Sequence, residues 1–242
     1  MKYVLDTHSH TLASGHAYST IKEMVEAAKD RKLELLAITE HGSSMPGSCT
    51  EIYFANLRVV PREMMGVKLL LGSELNIMDY EGHLDMNDYT YKVLDIIIAS
   101  MHIGIVKPGT MEENTNAVVE AMKNPYVNII GHPDDMRYPV DYETLVKAAR
   151  DHHVLLELNN SSLKPGGFRK NSDNNDITML NLCKKYDVPI VIGSDAHIAN
   201  DVGDFECAQK IIELTEFPQE LIINTSVDKL MGFLKLKKKL QH

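Results

Sequence analysis

The chain has 242 residues with 44% hydrophobic content and a formal net charge of -9 at pH 7. This length and apolar content suffice for a large globular core, and the negative charge disfavours a surface that binds nucleic acid backbone unaided. The three cysteines, Cys49, Cys183 and Cys207, form no C-x-x-C pair, so we predict neither a disulfide framework nor a thiolate zinc site.

The apolar N-terminal run reaches Asp6 too early for a secretory signal, and no later stretch is long and apolar enough to span a membrane. We therefore expect a cytoplasmic protein without membrane partners. The sequence leaves the oligomeric state open, a homo-oligomer included.

Short β-type runs alternate with amphipathic helical runs along most of the chain, a pattern typical of a parallel sheet with crossover helices. We predict seven strands, at residues 4–6, 35–39, 68–73, 94–99, 127–130, 154–158 and 189–193. We predict helices around residues 20–32, 53–65, 111–122, 142–151 and 177–186, and a largely helical C-terminal part. Residues 77–88 are predicted as a hairpin, and residues 221–223 as a candidate short eighth strand.

Metal-ligating residue types occupy the carboxyl ends of the predicted strands. The first strand runs into His8-x-His10, and period-two alternation places both imidazoles on one side of the extended chain. Six of the seven strands end at such residues: His8, His10, His41, Glu74, His102, His132, Asp195 and His197. His16 lies in the first loop at the same face. Because parallel α/β barrels build their active sites where the strands end, we expect these side chains to converge.

Nine convergent ligands predict more than one metal ion, because a catalytic zinc usually keeps about three protein ligands. We predict two or three divalent ions. Imidazole and carboxylate without thiolate suit zinc, manganese or iron, and zinc is our first expectation. Three such ions would carry more charge than Glu74 and Asp195 neutralise, so the pocket would attract phosphate in an otherwise acidic protein.

The strand-end motifs also resemble a known family. They are Asp6-x-His8-x-His10, Thr39-Glu40-His41, Gly72-Ser73-Glu74, Ser100-Met101-His102, Gly131-His132-Pro133 and Gly193-Ser194-Asp195-Ala196-His197. This set, in this order over nearly the whole chain, resembles the polymerase and histidinol phosphatase (PHP) superfamily, and specifically its YcdX-like branch of single-domain phosphatases.

The resemblance implies an α/β fold, a distorted TIM-like (β/α)7 barrel, formed by a single PHP domain over residues 1–242. It also implies a trinuclear metal site at the C-terminal ends of the strands. One ion would take His8, His10, Glu74 and Asp195; a second would share Glu74 and add His102 and His132; a third would take His16, His41 and His197. Position 40 departs from the pattern, since the usual motif reads Thr-Asp-His, and this leaves a supporting role for Glu40 open.

The predicted reaction is hydrolysis of a small-molecule phosphomonoester by a metal-activated hydroxide. Glu74 and Asp195 are the predicted catalytic carboxylates, which bridge the ions and help to activate the hydroxide. The sequence identifies no general acid. Asp6 has two interpretations, a carboxylate that orients an imidazole and a buried structural carboxylate.

Basic residues in the loops beyond strands four to six are candidates for holding phosphate oxygens. We select Arg137, Lys164 and Arg169 as substrate-binding candidates, with Lys107 as a further cation in this region. For each of them a solvated surface charge is the alternative interpretation.

The alternatives to a phosphatase are a phosphodiesterase or nuclease of the same superfamily, and a nonenzymatic metal-binding interaction module. The acidic net charge disfavours long polyanionic substrates. The expected partner is therefore a small phosphorylated substrate, and nucleic acid is disfavoured.

Overall fold

A parallel sheet of seven strands, nearly closed into a barrel, forms the centre of the fold. The structure is a computed structural model that describes residues 2–239, with side chains through residue 237. Residue 1 and residues 240–242 of the predicted domain lie outside the described range. The parallel strands follow the order β1-β2-β4-β5-β6-β7-β8. Their bounds, with the antiparallel β3, are Leu5–Asp6 (β1), Leu35–His41 (β2), Glu63–Met64 (β3), Val67–Asn76 (β4), Ile96–Ser100 (β5), Ile129–Ile130 (β6), Leu155–Asn159 (β7) and Ile190–Gly193 (β8).

Helices connect successive strands and cover the outside of the sheet. Their bounds are Ile21–Asp30 (α1), Glu51–Asn56 (α2), Asp88–Tyr91 (α3), Met111–Lys123 (α4), Tyr142–Asp151 (α5), Ser172–Tyr186 (α6), Glu206–Leu214 (α7) and Val227–Lys239 (α8). Helix α1 begins with a reciprocal cap, in which Thr20 accepts from the backbone N–H of Glu23 and the Glu23 carboxylate accepts from that of Thr20. No described helix is long and apolar enough to cross a membrane.

The predicted seven-stranded barrel is confirmed, and the main errors lie between β2 and β4. The predicted helix over residues 53–65 is wrong in its second half, because α2 ends at Asn56 and Pro61 follows a short 3-10 turn. The chain then forms β3, which pairs with β4 as an antiparallel ribbon. The predicted eighth strand is reduced to one parallel bridge between Ile222 and Ile190.

Asn224 closes the seam between the first and last parallel strands. Its fully buried amide Nδ2 donates to the carbonyl oxygens of Leu5 (3.0 Å) and Ile192 (2.8 Å). Its Oδ1 accepts from the backbone N–H of Ile192 at 2.7 Å. Its own carbonyl accepts from the backbone N–H of Val4. A single side chain therefore satisfies backbone groups that neighbouring strands would otherwise pair.

Two apolar layers hold this barrel. The larger layer packs the helices against the outer face of the sheet. The smaller one fills the barrel interior from strand residues such as Leu70 and Leu155, and Leu230 and Leu234 of α8 close that end. Towards the other end the inward positions change from apolar to polar: with period two, Leu70 of β4 is followed by Glu74 on the same face. Alternation thus places the polar cluster at the carboxyl ends of the strands.

Candidate metal centre

The structure brings all nine predicted ligands into one cluster at the carboxyl ends of the strands. Glu74, on β4, lies at its centre and is fully buried. Its Oε2 lies 2.7 Å from Nδ1 of His41 and 3.4 and 3.5 Å from the Nε2 atoms of His8 and His10. Its Oε1 lies 2.8 Å from Nε2 of His132 and 3.3 Å from Nε2 of His102. One carboxylate therefore faces imidazoles from two sides.

A second carboxylate, Asp195, joins the cluster from the end of β8. Its Oδ1 lies 3.4 Å from Nε2 of His10, 3.6 Å from Nε2 of His8 and 3.5 Å from Nδ1 of His197. Nε2 of His8 and Nε2 of His10 are 3.1 Å apart. Two ring nitrogens at this separation, both aimed at the same carboxylates, have the spacing of ligands that share one ion.

A group of three imidazoles lies on the outer side of the cluster. The Nε2 atoms of His16 and His41 are 3.1 Å apart, and the ring centroid of His197 lies 5.0 Å from that of His16. This group is also the most exposed part of the cluster, since the side chain of His197 is 29% exposed. It faces the open cleft rather than the barrel interior.

Hydrogen bonds at Nδ1 fix the tautomers of the two histidines that follow β1. Nδ1 of His8 donates to Oε1 of Glu157 at 2.7 Å, which leaves the Nε2 lone pair free. Ser14 donates its only hydroxyl hydrogen to Glu40 at 2.6 Å, so Nδ1 of His10 must be the donor across its 3.1 Å contact with Ser14. The Nε2 atom of His10 is therefore also free to act as a ligand.

The longer carboxylate at position 40 fills the supporting role that the sequence left open. Glu40 is fully buried and accepts from the backbone N–H of Thr11 at 3.0 Å as well as from Ser14. The backbone N–H of His41 donates to the same hydroxyl of Ser14 at 3.0 Å. Glu40 thus holds the serine that orients His10.

A similar chain of contacts orients His102. Its Nδ1 donates to Oδ1 of Asn76 at 2.8 Å, and Nδ2 of Asn76 donates to Asp85 at 2.6 Å, which fixes the orientation of the amide. On the other side of the cleft, Nδ1 of His197 donates to the backbone carbonyl of Asp195 at 3.0 Å. Both histidines therefore present Nε2 as the free ligand atom.

The charges within the cluster favour its metal-binding protonation states. Burial by itself raises the pKa of Glu74 and Asp195, but the neighbouring His102 and His8, together with Arg169 beside Asp195, hold both pKa values well below the usual range. Burial and the adjacent imidazoles lower the pKa of His10 well below its ordinary value. Ionised carboxylates and a neutral imidazole are the forms that bind metal ions.

His8 is the exception, because its pKa is raised well above the ordinary value. Burial opposes this shift, but the carboxylates of Glu157, Glu74 and Asp195 outweigh it. This imidazole therefore interacts with three carboxylates at once. A divalent cation that replaced the proton on its Nε2 would face two of them, Glu74 and Asp195.

Unsatisfied ligand atoms provide the test of whether a metal fits. Among the described residues, Oε2 of Glu74, Nδ1 of His41 and Nε2 of His102 are buried and make no hydrogen bond of acceptable geometry. Buried polar atoms without partners are costly, and their convergence on one region is the arrangement that a cation-binding site requires. Three groups of ligand atoms lie within 4.8 Å of one another: His8, His10 and Glu74; His41, Glu74 and His102; and His10, His41 and His197. The residues fit divalent ions.

Two buried carboxylates support the site: Asp6, for which the sequence left two interpretations open, and Glu157, which sequence reasoning missed. Asp6 does not orient an imidazole: its carboxylate accepts the backbone N–H groups of His8, Ser194 and Gly203, so the interpretation as a structural carboxylate is the correct one. The partner of His8 is instead Glu157, which lies within a predicted apolar strand. A charged residue flanked by leucines on a buried strand was the available signal.

Gly193 provides the space for Glu157. A Cβ atom at position 193 would lie 1.9 Å from Oε1 of Glu157 and 2.9 Å from Cβ of His8. A glycine at the end of β8 therefore allows the buried carboxylate to reach its histidine. The same oxygen-rich region continues through Asn159, whose Nδ2 donates to Glu157 at 3.0 Å.

A cleft of about 470 Å³ opens above the cluster and contains two of the three candidate substrate-binding cations. Arg169 is buried and donates to Oδ2 of Asp195 from both terminal nitrogens at 3.1 Å. Arg137 lines the cleft and is paired with Asp135. The structure does not bring Lys164 into the cleft lining; it pairs with the carboxylates of Asp201 and Asp204, at 3.1 and 3.0 Å.

Comparison with known sequences identifies close relatives along the full length. A protein named "Probable phosphatase" from Clostridium novyi (strain NT) is 47% identical over 241 residues, which cover 100% of this chain and 98% of that protein. A protein of the same name from Caldicellulosiruptor saccharolyticus is 46% identical over 232 residues and 96% of each chain.

Solved structures share the fold at low sequence identity. The histidinol phosphate phosphatase of Lactococcus lactis, determined with zinc, L-histidinol and phosphate, gives a TM-score of 0.60 at 17% identity and covers 89% of this chain and 95% of its own. A chain of an archaeal ribonuclease P structure with mature tRNA gives a TM-score of 0.59 at 17% identity, covering 98% and 92%. The family profile of the PHP domain matches residues 6–161. Together with the full-length relatives, this match establishes that the chain belongs to the PHP domain family.

Proposed function

We propose that this protein is a metal-dependent phosphatase that hydrolyses small phosphomonoesters at a site of three divalent ions. The observation that carries the proposal is the convergence of seven imidazoles and two carboxylates at the strand ends, in which buried ligand atoms of Glu74, His41 and His102 lack hydrogen-bond partners. The names of the full-length relatives support phosphatase activity, and the zinc complex of the Lactococcus lactis protein supports the choice of metal.

The three ligand groups of the geometry support the predicted division of the site in part: His41 also groups with Glu74 and His102, and His10 also groups with His41 and His197. His8, His10 and Glu74 match the predicted first ion, to which Asp195 adds an oxygen within 3.6 Å of both imidazoles. Glu74 and His102 belong to the predicted second ion, and His132 lies 2.8 Å from the same carboxylate oxygen. The remaining imidazoles, His16, His41 and His197, form the outer group.

When bound, divalent ions lower the pKa of water to about 7 and neutralise charge on the transferring phosphoryl group. The protein's own residues would hold the substrate around them. Arg169 is positioned to donate to a phosphate oxygen because its terminal nitrogens already face Asp195 at the base of the cleft. Arg137 is the second candidate, at the wall of the same cleft. Glu74 and Asp195 stay ionised, and their oxygens face the imidazoles around them.

The dimensions of the cleft support a small substrate over a nucleic acid. Its volume of about 470 Å³ lies within the range of small-molecule sites. The net charge of -9 opposes the binding of a long polyanion. The similarity to a ribonuclease P subunit concerns the fold alone and does not alter this preference.

Turnover of p-nitrophenyl phosphate by the purified protein, loaded in turn with zinc, manganese and iron, tests the proposal. We expect turnover in at least one metal form, loss of turnover on chelation and its return when the metal is restored. Replacing the buried ligand in His132→Ala should lower kcat/KM at least about 100-fold. The matched control is His83→Ala, because His83 is exposed and pairs only with Asp79 outside the cluster.

Other outcomes would contradict the proposal in distinct ways. Full turnover after exhaustive chelation would refute metal dependence. Faster cleavage of bis-p-nitrophenyl phosphate would assign the site to a phosphodiesterase. Stoichiometric metal by elemental analysis without turnover of either ester would leave a nonenzymatic metal-binding module. Two bound ions instead of three would refute the trinuclear site alone.

A further inference from the structure

The walls of the cleft differ in chemistry from its floor. The floor carries the imidazoles, Asp195 and Arg169. The walls carry four large apolar side chains, which lie in the segments that follow β2, β5 and β7: Met45, Met101, Ile103 and Phe168. A phosphate at the floor would therefore place the rest of its substrate between apolar walls.

Phe168 is the most exposed of these wall residues and is held in place by two cations. Its side chain is 65% exposed, although a ring of this size normally gains by burial. The guanidinium groups of Arg137 and Arg169 lie 5.0 and 5.1 Å from its ring centroid. Such contacts orient the ring without covering it. The exposed ring therefore offers a contact surface beside the candidate phosphate-binding arginines.

The charges around the cleft disfavour a second negative group on the substrate. Among the described residues that line it, both arginines already have carboxylate partners, Arg137 with Asp135 and Arg169 with Asp195. Asp201 adds another carboxylate to the wall. The ions at the floor can compensate one phosphate, but a second anionic group further out would meet carboxylates instead of a free cation.

We propose that the site selects phosphomonoesters whose alcohol portion is apolar and carries no second negative charge, with Phe168 as a specificity-determining residue. This inference rests on the proposed phosphatase activity. The alcohol portion would pack against Phe168 on one wall and Ile103 and Met101 on the other. Sugar phosphates, bisphosphates and phosphorylated carboxylic acids would leave the apolar walls unpaired or bring like charges together.

The test compares three esters with the metal-loaded full-length protein: 3-phenylpropyl phosphate, glycerol 3-phosphate and 3-phosphoglycerate. In all three esters the leaving group is an alcohol, so differences in kcat/KM depend mainly on the contacts that the leaving group makes with the protein. We expect 3-phenylpropyl phosphate to have the highest kcat/KM and 3-phosphoglycerate the lowest. Equal values, or a higher value for either polar ester, would overturn the inference while leaving the phosphatase proposal intact.

Variants locate the preference on the ring. Phe168→Ala should lower the ratio of kcat/KM for 3-phenylpropyl phosphate to that for glycerol 3-phosphate about tenfold, mainly through KM, as expected for loss of one aromatic contact. Phe168→Leu should retain most of the ratio. Tyr89→Ala is the matched control, because Tyr89 is a comparably exposed aromatic residue on α3, outside the cleft lining. An unchanged ratio in Phe168→Ala would remove Phe168 from the proposal.

Binding of 3-phenylpropylphosphonate, measured by calorimetry, separates recognition from turnover. We expect it to bind more tightly than 2,3-dihydroxypropylphosphonate, and Phe168→Ala to reduce the difference. If none of the esters is hydrolysed, the proposed function fails and the substrate inference fails with it. If the esters are hydrolysed and the two phosphonates bind equally, only the substrate inference fails.

Discussion

The orientation of the candidate metal ligand His8 depends on the residue that accepts a hydrogen bond from its other ring nitrogen. Glu157 illustrates this, because it accepts from His8 at 2.7 Å, from the backbone N–H of His132 at 2.9 Å and from Asn159 at 3.0 Å. The interaction with His8 keeps the pKa of Glu157 below its usual range although burial opposes it. All three neighbours are donors, so the position requires a group that only accepts hydrogen bonds.

Glu157→Gln tests this requirement with almost no change in volume. The amide offers one acceptor and one donor group, so at least one of the three donors loses its partner. We expect zinc affinity to fall between about 10-fold and 100-fold, because His8 is no longer held as a ligand. Competition with a chelator of known affinity measures the effect. Glu26→Gln, on the exposed side of α1, is the matched control, and equal zinc affinity in the two variants would refute the role of Glu157.

At the scale of the secondary structure elements, the seam between β1 and β8 is held by side chains as well as by backbone pairing. These strands meet through the side chain of Asn224 and through Asp6, which accepts from the backbone N–H of Ser194, and the residues that follow them pair at one isolated bridge between Ser9 and Ala196. The ligands His8 and Asp195 follow directly along the same two strands. The seam therefore helps to position these two candidate metal ligands.

Asn224→Leu should destabilise the protein by about 3 kcal/mol, because it leaves buried backbone groups of Leu5 and Ile192 without partners. Urea unfolding followed by circular dichroism measures the change in the free energy of unfolding. Asn174→Leu, at an exposed position of α6, is the control and should change stability by less than about 0.5 kcal/mol. A loss in Asn224→Leu no larger than in the control would show that the seam closes without this amide.

Helix α8 carries a buried lysine that makes stability depend on pH. Burial lowers the pKa of Lys237 from 10.5 to about 8, and its Nζ donates to the carbonyl of His152 at 2.6 Å. Since the folded pKa is the lower one, the unfolded chain binds more protons between about pH 8 and pH 10.5, and this group's contribution to stability rises with pH across that window.

Lys237→Met removes the charge and keeps the apolar length of the side chain. We expect a gain of about 1 kcal/mol in unfolding free energy at pH 7, discounted for the partial hydration of the ammonium group, and no gain near pH 10. Urea unfolding at several pH values between 7 and 10 measures it. A difference between wild type and variant that stays constant with pH would contradict the prediction.

For the whole molecule, the sequence best predicted the residues at the carboxyl ends of the strands, where the candidate metal ligands lie. A ligand must lie on the inward face at the carboxyl end of a strand, so alternation and strand order were sufficient to group His8 with residues as distant as His197. Glu157 was not predicted, because the sequence around a single carboxylate within a strand does not show which side chain it pairs with. Asn224 escaped because its contact with Leu5 spans 219 residues and exists only once the barrel closes.

The errors in element boundaries have a similar cause. Strand β3 consists of two residues and pairs with the start of β4, which β5 reaches only from Gly72 onward, so its own sequence carries little signal. Pro61, which limits the predicted helix, is apparent in the sequence, but the antiparallel ribbon of β3 and β4 that follows it is not. Short elements take their structure from their neighbours, whereas long apolar strands such as β4 are predictable from their own residues.

The central position of Glu74 has a consequence for how metal loading proceeds. Its two oxygens face different imidazoles, with His132 on one side and His41 on the other. A cation on either side would therefore interact with the same carboxylate. At the proposed site, occupancy of one position would therefore alter the affinity of the next, and stepwise titration of the apoprotein would not follow a set of identical independent equilibria. Partially filled preparations would then be mixtures whose composition depends on the order and rate of addition.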